Sequence, residues 1–82
     1  MKQKAFEVLT QDEQLEYAVQ NGTYLMDRKD DDVTVRLFDV NGFYVEIFSL
    51  NETGVVVLIK SFNETEKLAP YLRQMDLSRM LI

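Results

Sequence analysis

Asn41-Gly42 limits what this chain can fold into more than any other feature, because it stands between two apolar, β-branched and aromatic runs at 33–40 and 43–50. A two-residue type I′ turn needs positive φ at both central positions, which Asn and Gly adopt at little cost, so the pair marks a tight antiparallel hairpin. Comparable runs lie at 23–28 and 55–62, set off by the turn-forming stretches at 29–32 and 51–54. Four strands joined by such short connections form a simple antiparallel meander.

Helices are expected on both flanks. Thr10 is followed by Glu13 at capping-box spacing, and Asn21-Gly22 supplies a stop. Between them Leu15, Ala18 and Val19 share one face, which predicts a helix over about 11–20. Residues 1–9, with Phe6, Val8 and Leu9, either extend this helix or pack as an irregular arm. Near the other end, Pro70 suits a first helical turn and not a helix interior. The spacing of Leu68, Leu72 and Met75 then predicts a turn over 64–68 and a helix over about 69–77. The expected fold class is α+β, with an N-terminal helix, a four-stranded antiparallel β-meander and a C-terminal helix in one domain over 1–82.

A chain of 82 residues builds only a small core, and domains of this size commonly lean on a disulfide, a metal or a partner. Cys and His are both absent, which removes disulfides, thiolate chemistry and imidazole zinc sites and leaves a partner as the support to expect. No cofactor is expected. Nine basic against fourteen acidic side chains give a net charge of −5. The basic ones are scattered, whereas nucleic-acid binders concentrate them against phosphate, so no nucleic-acid partner is expected. With no long apolar stretch and no signal-like N-terminus, the chain is expected to be cytoplasmic with no membrane partner, and the lack of Cys agrees with that compartment. Asn21, Asn51 and Asn63 match a glycosylation pattern but stand where turns and caps favour Asn.

Which sheet face is the inside is less direct. Counting outward from Asn41-Gly42 pairs Val40 with Phe43, Phe38 with Val45, Arg36 with Ile47 and Val35 with Phe48. Treating 29–32 and 51–54 as loops pairs Arg28 with Val33 and Leu50 with Val55. One face then collects Tyr24, Met26, Val33, Val35, Leu37, Tyr44, Phe48, Leu50, Val55, Val57 and Ile59, interrupted by Arg28, Asp39, Glu46 and Ser61. The other collects Leu25, Phe38, Val40, Phe43, Val45, Ile47, Val56, Leu58 and Phe62, interrupted by Thr23, Asp27, Thr34, Arg36, Ser49 and Lys60. Neither shows the polar alternation of a wet face.

Two arrangements cover both faces: one helix on each, or both helices on the first face and a second copy on the other. Two helices side by side fit a four-stranded sheet, which favours the second arrangement. The expected function is therefore a non-enzymatic protein-interaction module. It forms a homodimer, or binds another protein, through Phe38, Val40, Phe43, Val45, Ile47, Leu58 and Phe62. The alternative is a small-molecule or carboxylate-based enzymatic site at Tyr44 and Glu46 near Asp39, although Glu46 paired with an arginine such as Arg73 gives a structural reading of the same residues. The acidic run at 27–32 lacks the Gly and distal Glu of a calcium loop and reads as a solvated turn. Met75, Met80, Leu81 and Ile82 make the C-terminus adhesive toward a core or a neighbour.

The runs Gly-Phe-Tyr-Val-Glu-Ile at 42–47, Ser61-Phe62 and Leu-Ala-Pro-Tyr-Leu at 68–72 resemble a pattern in short uncharacterised α+β proteins of Bacteroides-type bacteria. The resemblance spans about 42–72 and implies a shared small domain of bacterial origin, with no activity or cofactor to carry over.

Overall fold

The computed structural model describes residues 1–71. Residues 1–9 neither extend the first long helix nor stay irregular. They form a short helix of their own, α1 (Gln3–Glu7), whose Phe6 is fully buried. Thr10 then opens α2 (Gln11–Asn21). The Thr10 hydroxyl accepts from the Glu13 amide at 3.2 Å, and the Glu13 carboxylate accepts from the Thr10 amide at 2.9 Å, so two otherwise orphaned backbone donors are satisfied reciprocally.

Four strands follow, β1 (Thr23–Asp30), β2 (Val33–Asp39), β3 (Tyr44–Leu50) and β4 (Val56–Phe62), paired antiparallel in chain order. A 3-10 turn over Thr65–Leu68 leads into residues 69–71, which are helical. This is the α+β meander expected. The rest of the expected helix at 69–77, with Leu72, Arg73, Met75 and the adhesive C-terminus, lies outside the described residues.

The central hairpin pairs as counted. Asn41 and Gly42 take φ of 50° and 108°, Val40 N donates to Phe43 O at 2.8 Å, and the pairs Phe38/Val45, Arg36/Ile47 and Val35/Phe48 all form. The outer hairpins depart from the count. β1 runs on to Asp30 and turns through Asp31 and Asp32, Asp31 taking a positive φ of 55°, a conformation Asp tolerates. Arg28 therefore faces Val35, not Val33. Irregularities sit at Leu25 in β1 and at Val57 in β4. Each adds one residue to its strand, which moves the side chains beyond it, counted from the adjoining turn, to the opposite face.

The bulge at Val57 corrects the faces. Leu50 still meets Val55, with Leu50 N donating to Val55 O at 2.9 Å, but beyond it Phe48 faces Leu58, Ile47 faces Ile59 and Tyr44 faces Phe62. Ile59 thus joins Ile47, whereas Phe62 crosses to the side of Tyr44 and Leu37. The bulge at Leu25 likewise moves Tyr24 next to Phe38, with ring centroids 5.8 Å apart.

The placement of the helices is also corrected. α1 and α2 cover the face of Phe38, Val40, Phe43, Val45 and Ile47, which form one buried cluster with Phe6 and Ala18, packed on by Leu9, Leu15 and Tyr17. Phe6 meets Phe43 at 5.4 Å between ring centroids. The close approach is tightest at Gly22, where an added Cβ would lie 2.6 Å from Ala18 O and 3.0 Å from a Val40 methyl. On the opposite face Leu37 and Phe62 are buried with Tyr71, alongside Met26, Tyr44 and Leu68. Helical segments thus cover both faces. Five residues expected at a dimer interface, Phe38, Val40, Phe43, Val45 and Ile47, are core beneath α1 and α2, and a sixth, Phe62, is core on the other side.

The physical reason lies in where the polar interruptions fall. On the α1–α2 face, Thr34, Arg36 and Ser49 gather with Lys29 and Asp27 at one end of the sheet. Arg36 Nη1 donates to Ser49 Oγ at 3.2 Å, Lys29 Nζ donates to Thr34 Oγ1 at 2.9 Å, and Thr34 Oγ1 donates to Asn51 Oδ1. The other end of this face is continuous and apolar. On the opposite face, the charge of Glu46 stands at the centre.

Candidate functional site

Glu46 lies mid-strand on β3, opposite Leu37 on β2 and Lys60 on β4, and it is buried. Such a carboxylate costs several kcal/mol unless donors meet it. Two do. Tyr71 Oη donates to Glu46 Oε2 at 2.7 Å, and Arg28 Nη2 donates to the same oxygen at 3.3 Å. The Arg28 guanidinium lies 5.4 Å from the Tyr71 ring centroid and 6.0 Å from that of Phe48, while Lys60 Nζ lies 5.6 Å from the Phe48 centroid. Two cations over aromatic faces thus stand around one carboxylate. Burial, then the hydrogen bond to Glu46 and the negative charge of that group, push the Tyr71 phenol well above its ordinary pKa of 10.

Tyr44 is placed differently. Its ring stacks on Phe62 with centroids 5.4 Å apart, and it pairs across β2 with Asp39. The chain therefore does bring Tyr44, Glu46 and Asp39 to one face. Glu46 and Tyr44 are nevertheless engaged in holding the sheet and its cover together, and among the described residues the arginine beside Glu46 is Arg28, the Arg73 named as an example lying outside them. An open groove of about 420 Å³ borders Glu46, between Arg28, Lys60, Lys67 and Pro70. Lys67 is itself paired with Glu64 at 3.4 Å. The role of Tyr71 could not be seen from the strand pattern, because the contact spans the whole distance from β3 to the start of the last helical segment.

The second candidate is an edge. Among the described residues, β1 and β4 each have a neighbouring strand on one side only. Along β1, Asp27, Arg28, Lys29 and Asp30 are all charged, and they are tied down: Tyr24 Oη donates to Asp27 at 2.6 Å, Arg36 pairs with Asp27 at 3.9 Å, and Arg28 pairs with Asp30 at 3.6 Å. The approach to β4 and its first half read Val-Val-Val-Leu-Ile at 55–59 with no charge. Val55, Val57 and Leu58 are 55%, 46% and 42% exposed. Leu58 is thus the one expected interface residue that remains on the surface, carried to the face of Glu46 by the bulge. Isolated exposed hydrophobic residues are common. Three within a four-residue stretch lie on an edge that lacks the charges by which exposed edges are commonly closed.

No protein-family model matches the chain, and no curated protein or solved structure does either.

Proposed function

We propose that this chain is a non-enzymatic protein-interaction module that engages a partner by extending its sheet at β4. The observation that carries the reading is the exposure of Val55, Val57 and Leu58 on an edge free of charge between 55 and 59. An incoming extended segment gains main-chain hydrogen bonds from the edge and places its side chains against those three. The acidic and basic side chains that would discourage such pairing are concentrated on β1 instead. In the described residues no helix is long and apolar enough to cross a membrane, and a chain without Cys suits a reducing cytoplasm.

The test is a nuclear magnetic resonance titration of the folded chain with a short synthetic peptide of alternating Thr and Val with lysine ends. Amide shifts confined to 55–62, and abolished by Val57→Lys, are the expected result. Shifts centred on β1, or none at β4, overturn the reading.

A further inference from the structure

We infer that the groove beside Glu46 binds a small dianion through its phosphate or carboxylate oxygens. Among the described residues, its cations come from three separate parts of the fold: Arg28 on β1, Lys60 on β4 and Lys67 in the 3-10 turn. Glu46 is the one carboxylate that lines it with them. An excess of positive charge is thus gathered at one place in a chain whose net charge is −5. The space, about 420 Å³ and open to solvent, has room for a compact ligand.

Glu46 does not cancel that excess. It is buried, and its Oε2 already accepts from both Tyr71 Oη and Arg28 Nη2, so its charge is answered by one guanidinium. Arg28 also meets the exposed Asp30 at 3.6 Å, away from the groove lining. Its buried Nε nevertheless has no acceptor among the described residues, a state that native proteins ordinarily relieve with water or an ion. Lys60 is exposed and belongs to no ion pair among the described residues. It stands opposite Glu46 on the neighbouring strand, and its Nζ approaches the same Phe48 ring as the Arg28 guanidinium. Lys67 pairs with Glu64 at 3.4 Å, but both side chains are mostly in water, and an exposed pair of that kind contributes little and exchanges readily. Two lysines from different elements therefore have charge to offer. A ligand with two negative charges engages both at once, which a monoanion such as chloride does not.

Titration of the folded chain with inorganic phosphate and, separately, with succinate, followed by its amide resonances, tests the inference. Sodium chloride at matched ionic strength is the control for screening. The expected result is saturable shifts centred on 60–62 and 67 that chloride does not reproduce, and the probe that saturates at the lower concentration names the oxyanion the groove prefers. Lys60→Gln and Lys67→Gln, with far-UV circular dichroism confirming the fold, are each expected to weaken binding about threefold to tenfold. Lys4→Gln removes the same charge from α1, outside the groove, and is expected to leave the affinity within about twofold. Shifts that rise without saturating, or that chloride matches, are screening and overturn the inference. Saturable binding centred elsewhere overturns it too, as does a loss in Lys4→Gln equal to that in Lys60→Gln or unchanged binding in both groove variants. The peptide titration at β4 is read through Val57, which does not line the groove, so this site and the edge reading fail separately.

Discussion

The two edges of one sheet are built on opposite terms. β1 is lined with charge, and its charges serve both faces: Asp27 holds Arg36 and the Tyr24 hydroxyl on the α1–α2 side, and Arg28 reaches Glu46 and lies over Tyr71 on the other. β4 is aliphatic where β1 is ionic, with a bulge at Val57 and, among the described residues, one amide side chain from α2 on its outward backbone. An edge strand is closed less by its backbone, which is alike in the two, than by the solvation that a neighbouring strand would have to strip away. Ionised side chains make that removal expensive, and valines make it favourable.

Four perturbations break or sharpen the contrast. The largest effect is expected on β1. Among the described residues, Arg28→Ala leaves the Tyr71 hydroxyl as the side-chain donor to buried Glu46, and it should lower stability by about 2–4 kcal/mol in urea unfolding, below the extreme for a fully buried pair because Arg28 keeps some contact with water. Next comes Tyr71→Phe, which removes a hydrogen bond to a charged acceptor and should cost about 1.5 kcal/mol. The same variant carries a pH signature. Folding raises the Tyr71 pKa above its ordinary 10, so its contribution is whole below pH 10 and is lost as pH climbs past that value toward the folded one. Alkaline melting curves should therefore slope downward more steeply for the natural chain than for Tyr71→Phe.

On β4 the same kind of measurement should show almost nothing. Val57→Lys replaces a side chain that is 46% exposed, and stability should change by about 0.5 kcal/mol or less, while the peptide-induced shifts at β4 disappear. A loss comparable to that of Arg28→Ala would erase the difference between the edges. The smallest effect is expected from Gln11→Ala, which frees the Val56 carbonyl and should tighten binding of the Thr/Val peptide about twofold to fourfold in the resonance titration. Weakening would mean that Gln11 supports an added strand and does not compete with it.

How much of this was legible beforehand follows the range of the interactions. Thr10 with Glu13, and Asn41 with Gly42, act within a few residues, and both the capping of α2 and the register of β2 against β3 could be counted from them. The bulges could not. Val-Val-Val-Leu-Ile contains no Gly, Pro or polar residue to mark an extra position, and each of its members suits either face. The register there depends on remote demands: Ile59 against Ile47, Lys60 against Glu46 and Phe62 against Tyr44. The candidate site was half visible for the same reason. Glu46 and Arg28 share a face by strand parity, but the Tyr71 hydroxyl arrives from 25 positions further along the chain.

By itself the sequence determined α2, the four strands and their meander, and the absence of cysteine and histidine chemistry, because capping, turn geometry and composition are local or global properties that need no neighbours in space. Only the tertiary structure decided which face α1 and α2 cover, where Phe62 and Leu58 end up, and that Glu46 is an anchor for Tyr71. Those outcomes turn on whether polar interruptions cluster at one end of the sheet or stand at its centre. That is a two-dimensional arrangement, and a list of alternating residues does not contain it.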